Sequence, residues 1–132
     1  MSAVQSVTIA FTDDALSQWL SEASDADLDL LDFGTIGFDA AGAVVRYNQL
    51  EASLAALSPQ RVLGHPLFTV VAPCMNNFLV AQRFEDAESS GATLDVTIDY
   101  VLTLRMRPVK VKLRLIALAG SSVRWVLVHR AA

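Results

Sequence analysis

Few residues in this sequence could carry chemistry. Cys74, in "VVAPCMNN" (residues 70–77), is the only cysteine among 132 residues, and His65 and His129 are the only histidines. A nucleophilic thiolate needs a neighbouring base and a group to orient it, and nothing local marks either histidine for that role. One cysteine and two scattered histidines do not make metal-ligand spacing. Cys74 is therefore either a small apolar core residue or a free thiol open to modification. A second constellation lies in "RYNQLE", where Tyr47 and Glu51 stand four apart and share one face if the chain turns helical there. In the plain reading they are a strand-end tyrosine and a solvated glutamate. In the chemical reading, a phenol and a carboxylic acid in a dry pocket both donate hydrogen bonds to one buried oxyanion. That role needs Glu51 protonated, which burial favours.

The elements that must position these groups fit one domain. A chain of 132 residues with 53% hydrophobic residues can bury a single core. No apolar run approaches the roughly 20 residues of a membrane span, and "MSAVQSVTIAF" lacks the basic start of a secretory signal. The expectation is a cytoplasmic protein with no membrane association. A lone cysteine agrees with a reducing compartment. The net charge of -4 argues against nucleic acid as a partner. Seven of the ten basic residues lie from Arg105 onward, and all fourteen acids lie at or before Asp99.

Residues 1–32 read as an acidic helical cap. Thr12 is placed to cap a helix with Asp13 and Asp14 in its first turn and Leu16, Trp19 and Leu20 on its apolar stripe. Ser24 with Asp27 starts a second helix. From residue 33 to 132 the pattern is that of a core: "FGTIGF" and "AVVRYN" flank a "DAAG" turn, "QLEASLAAL" and "SPQRVLG" form short helical pieces, and "NNFLVAQRFEDAESSG" forms a helix of about four turns capped by Asn76 or Asn77. Three strands follow. In "VKVKLRLIAL" Lys110, Lys112 and Arg114 share one face, with Val111, Leu113 and Leu115 on the other. The fold class is α+β, a five-stranded antiparallel sheet with its core helices on one side and an N-terminal helical cap. Seven acids between Asp13 and Asp32 are expected to pack near the basic face, so that cap release depends on ionic strength.

"LDLLDFGTIGFDAAGAVVRYNQLE", "VLGHPLFTVVAPC" and "RPVKVKLRLIAL...VRWVLVHR" together resemble the photoactive yellow protein (xanthopsin) family of the PAS superfamily, from about Leu28 to the C-terminus. The resemblance implies a PAS fold, no enzymatic turnover, and blue-light sensing by p-coumaric (4-hydroxycinnamic) acid joined to Cys74 as a thioester. It implies that Tyr47 and Glu51 hold the chromophore phenolate, that Glu51 is the proton donor after trans-cis isomerisation, and that partial unfolding of the fold is the signal. Ile36, Leu67, Val71, Ala72 and Pro73 fit pocket positions and Asn48 a supporting one. Ala55 stands where better-known members carry a threonine bonded to the pocket tyrosine, and Leu57 stands where they carry an arginine. Leu102 and Leu104 take aromatic positions, and Met106 matches a methionine associated with thermal return to the dark isomer. The partners expected are the covalent chromophore and a downstream signalling protein, with the chain itself a monomer or weak dimer. The competing reading is a non-photoactive PAS module for interaction or small-ligand sensing.

Overall fold

The computed structural model describes residues 9–103 and 108–130. Its strands are β1 (Gly34–Phe38), β2 (Val44–Tyr47), β3 (Leu94–Leu102), β4 (Val109–Ala117) and β5 (Arg124–Arg130). They form one antiparallel sheet in the order β2-β1-β5-β4-β3. The first hairpin closes as its turn residues require: the Asp39 carboxylate accepts from the Ala41 and Ala43 amides, both at 3.0 Å, and Gly42 supplies the positive φ of +89°.

Alternation along the strands divides the core between two faces. On β5, Val126 and Val128 pack under the core helices, whereas Trp125 and Leu127 pack under the N-terminal segment. On the first face lie α3 (Gln49–Ala55), α4 (Pro59–Val62), a π turn (Leu67–Val71), a 3-10 turn (Pro73–Met75) and α5 (Ala81–Ser90). On the second lie α1 (Leu16–Glu22) and α2 (Asp25–Leu28). The expected arrangement is present. The helix expected from Asn76 begins at Ala81, because the Asn77 carboxamide first accepts from the Leu79 and Val80 amides in a separate turn. Gly91, in the left-handed region, ends it.

Two local expectations at the N-terminus are corrected. Neither Thr12 nor an acid caps α1: the helix begins at Leu16 after Ala15, with no side-chain cap and no acid in its first turn, and the Asp13 carboxylate instead accepts from the Ala15 amide at 2.8 Å in the turn ahead of it. Ser24 and Asp27 do form a reciprocal capping box on α2. The acids expected near the basic face of β4 are there in part: Asp13 and Asp14 lie close enough to Arg114 to help raise its pKa, and Arg114 donates to the Asp13 carbonyl, but the described cap acids form no ion pair with that face. Lys112 pairs with Asp99 and Arg114 with Asp95, both cross-strand partners on β3, while Asp25 pairs with Arg46 of β2. Strand neighbours reach these cations first because register places them directly opposite or diagonally adjacent. The cap is held chiefly by apolar burial: Leu16, Leu20 and Leu28 are at most 1% exposed, and each contributes about 1.5–3 kcal/mol. An exposed pair such as Arg46–Asp25 contributes about 0–1 kcal/mol.

No described helix is long and apolar enough to cross a membrane.

Candidate functional site

Asn48 organises the site from beneath. It is the N-cap of α3, and its carboxamide oxygen accepts from the Glu51 amide at 3.1 Å and from the Thr35 amide at 3.0 Å. Its nitrogen donates to the carbonyls of Leu28 at 2.9 Å and Phe33 at 3.1 Å. One buried side chain thus joins the end of α2, the start of β1 and the first turn of α3. It also fixes where Glu51 enters the interior.

Glu51 is buried, 1% exposed. Both carboxyl oxygens accept from the Arg130 guanidinium, at 2.8 and 3.2 Å, the two-pronged geometry of an ionised carboxylate. A Cβ on Gly34 would overlap Glu51 Oε1 and stand 3.0 Å from its carboxyl carbon. The glycine of the "FG" pair is therefore the space the carboxyl occupies. Tyr47, at the end of β2, is buried beside this pair. Burial, then the Glu51 carboxylate, pushes the Tyr47 phenol well above its ordinary value, with Arg130 pulling partly back. No hydrogen bond joins Tyr47 to Glu51 among the described residues; the pair expected from "RYNQLE" are neighbours, and Glu51 is turned to Arg130.

The raised Tyr47 value has a testable sign. A tyrosine in the unfolded chain titrates near pH 10, so above about that pH the unfolded chain loses a proton that folded Tyr47 retains, and stability falls as pH rises. Native protein carried to about pH 11 should develop the same tyrosinate absorbance with Tyr47→Phe as without it. A tyrosinate signal that falls in the variant would contradict this placement.

Cys74 lies in the 3-10 turn, half-buried, and packs against the cluster that contains Ile36, Tyr47, Leu67, Val71, Ala72 and Leu102. Leu57 packs against the same cluster, and Ala55, the last residue of α3, is buried. Pro73 is exposed and serves as the first residue of the turn; its fixed φ suits that position. Leu104 and Met106 lie outside the described residues. Met75, fully buried in the same turn, is a core residue that the sequence reading did not single out.

The Cys74 peptide is fixed on its carbonyl side. Tyr100 Oη donates to the Cys74 carbonyl at 2.6 Å, and Asn77 Nδ2 donates to Tyr100 Oη at 2.6 Å and to the Cys74 carbonyl at 3.3 Å. Neither Tyr100 nor Arg130 was legible as a site residue. Asn77 was read only as a cap, and Arg130 only as part of a basic C-terminal half.

The main core cluster thus carries the sole thiol packed against it and Tyr47 within it, with the Glu51 carboxyl buried beside that tyrosine. No protein-family model matches the chain. It is 34% identical over 123 residues to the photoactive yellow protein of Rhodothalassium salexigens, covering 92% of this chain and 97% of the relative. The chain belongs to the photoactive yellow protein family. It is also 33% identical over 122 residues to the photoactive yellow protein of Halochromatium salexigens, covering 92% of this chain and 97% of the relative. Among solved structures it is similar to the photoactive yellow protein domain of the sensor histidine kinase Ppr from Rhodospirillum centenum, with a TM-score of 0.78 and 35% identity over 86% of this chain and 98% of that one. Its likeness to the PAS domain of the quorum-sensing receptor RpfR from Cronobacter turicensis, TM-score 0.59 at 16% identity, over 76% of this chain and 95% of that one, concerns the fold alone. As a photoactive-yellow-protein-like PAS module it has the sheet order and helical face described above.

Proposed function

We propose that this family member is a blue-light receptor that carries p-coumaric acid as a thioester on Cys74. The observation that carries this reading is the placement of the sole cysteine, half-buried, on the same core cluster as Tyr47, with the Glu51 carboxyl enclosed beside that tyrosine. The residues fit such a group. Cys74 Sγ offers the only thiol in the chain, the cluster supplies an apolar lining through Ile36, Leu67, Val71, Ala72 and Leu102, and Tyr47 and Glu51 supply a phenol and a carboxyl. When bound, the thioester supplies a double bond that isomerises in light and a phenolate oxygen that can take a proton.

The chain's own groups account for the rest. The Tyr47 hydroxyl, held protonated by burial, can only donate to a nearby anion. Glu51, in its protonated form, donates a second hydrogen bond and then gives up its proton from the carboxyl oxygen. Ala55 has no hydroxyl to orient Tyr47, and Leu57 excludes water without donating, so the absorption maximum and dark recovery should differ from those of family members with threonine and arginine there. A carboxylate formed in the interior carries a desolvation cost that its pairing with Arg130 offsets only in part, against a stability of only about 5–15 kcal/mol for a domain this size. Loosening of the N-terminal cap, residues 1–32, from the core of residues 33–132 is the proposed signal. The related domain in a sensor histidine kinase supports a signalling protein as the downstream partner.

Reconstitution with the activated thioester or anhydride of p-coumaric acid should give a visible band that bleaches in light and recovers in the dark. Cys74→Ala should abolish the band entirely. Glu51→Gln should retain the adduct and move its absorption. Failure of the native chain to form an adduct, under conditions that label a known family member, would sink the proposal in favour of a PAS module for another small ligand.

A further inference from the structure

We infer that Arg130 is the counter-ion of the Glu51 carboxylate, a positioning residue that receives the side chain whenever its proton has been given up. The inference rests on the photoreceptor reading for its role in a light cycle, but the pair itself exists in the protein without any chromophore.

The geometry is specific. Arg130 ends β5, and its guanidinium spans both oxygens of Glu51 at 2.8 and 3.2 Å. The Glu51 side chain is 2% exposed and that of Arg130 17% exposed, so the acid is fully enclosed while the base keeps an edge in water. Gly34 leaves open the space in which the carboxyl sits. The family's arginine position is held here by Leu57, which cannot offset a charge. Arg130 reaches the acid from the opposite end of the fold's sequence, 79 residues away.

The charges then balance in both states. Before proton transfer the pocket holds one phenolate, a neutral Glu51 and the Arg130 cation. The Glu51 carboxyl proton moves to the phenolate oxygen, no other bond forms or breaks, and the single negative charge now rests on Glu51. Its two oxygens take the two N–H donors of Arg130, the arrangement present here, so the charge is not left unpaired. This arrangement limits the cost of ionising Glu51 in the interior and extends the life of the deprotonated state. A strand-mate of Arg130 faces the other way: His129 stacks on Phe11, ring centroids 5.1 Å apart, so the residue that receives the carboxylate is adjacent in the chain to one that touches the cap.

Two measurements test this, the first without chromophore. Infrared spectra of the apoprotein, with Glu51→Gln used to assign the band, should show Glu51 ionised at neutral pH and substantially protonated in Arg130→Gln, with Arg130→Lys restoring ionisation in part. A Glu51 that is protonated in the native apoprotein, or ionised equally in Arg130→Gln, overturns the inference. In the reconstituted protein, Arg130→Gln should shorten the lifetime of the bleached state by at least about tenfold, a figure that allows for the partial exposure of Arg130. A lifetime within twofold of native overturns it as well. If no adduct forms, the photoreceptor reading fails and the infrared measurement still decides the ion pair. If Arg130→Gln does not fold, the Arg130→Lys protein decides it by the same band and the same lifetime.

Discussion

Asn48→Ala should lower the stability of this protein by about 3–5 kcal/mol and its midpoint of thermal unfolding by about 10–20 °C. The side chain is 1% exposed and makes four hydrogen bonds, two as acceptor from the Thr35 and Glu51 amides and two as donor to the Leu28 and Phe33 carbonyls. Truncation leaves all four backbone groups buried without that partner, at about 1–3 kcal/mol each before relaxation and water entry reduce the sum. It also removes the cap of α3, about 1 kcal/mol by itself. Asn48→Asp separates the contributions, because it preserves the acceptor and loses the donor. Its loss should be smaller in the α3 turn and concentrated where α2 meets β1. Chemical denaturation with unchanged slope would measure both; a loss below about 1 kcal/mol for alanine would mean that the carboxamide is dispensable.

The second large effect is expected at Arg114. This guanidinium, 6% exposed, makes a two-pronged pair with Asp95 at 2.8 and 2.9 Å and donates to the Phe11 and Asp13 carbonyls at 2.9 and 2.8 Å. The Asp95 hydrogen bond raises its pKa above the ordinary value, against the pull of burial. Arg114→Ala removes both connections, so the N-terminal segment, still held by its leucines, should open more often and the chain lose about 2–3 kcal/mol, less than a fully buried pair because Asp95 is a third exposed. Limited proteolysis should then cut ahead of Phe33 at least about tenfold faster, in proportion to the opened population. Arg114→Lys retains a charge but lacks the planar fork, and should lie between the two. An alanine variant cut at the native rate would show that Leu16, Leu20 and Leu28 hold the segment unaided.

Much of this architecture was legible in the residues. Alternating Val111, Leu113 and Leu115 gave the buried face of β4, and the Asp39–Gly42 turn and the Ser24–Asp27 box announced their elements, because strand period, turn chemistry and capping are local properties. Tyr47 and Glu51 were legible as a pair through their spacing in α3's approach, and Cys74 through its being the sole thiol. Arg130 and Tyr100 were not, since each reaches its partner only through sheet registry: Arg130 across 79 positions and Tyr100 across 26. The direction in which Glu51 points was hidden for the same reason. Gly34 could have raised the question earlier, because a glycine inside a strand signals a close approach. The charge asymmetry of the chain suggested that cap acids meet β4 cations, and Asp13 and Asp14 do act on Arg114, yet asymmetry does not say that Asp95 and Asp99 of β3 would take the ion pairs.

Arg114 grips the N-terminal segment through two main-chain carbonyls. Such a contact reads the path of the backbone more than the identity of the exposed side chains at positions 12, 13 and 14. Of those positions only 12 carries no described contact; the carboxylates at 13 and 14 favour the Arg114 charge, so the grip depends on their sign as well as on Phe11 and the leucines staying apolar. The cap's outer surface can therefore vary most where it touches nothing, while the sheet beneath grips the main chain of the segment at Arg114 and again at Arg46, which donates to the Ala23 carbonyl.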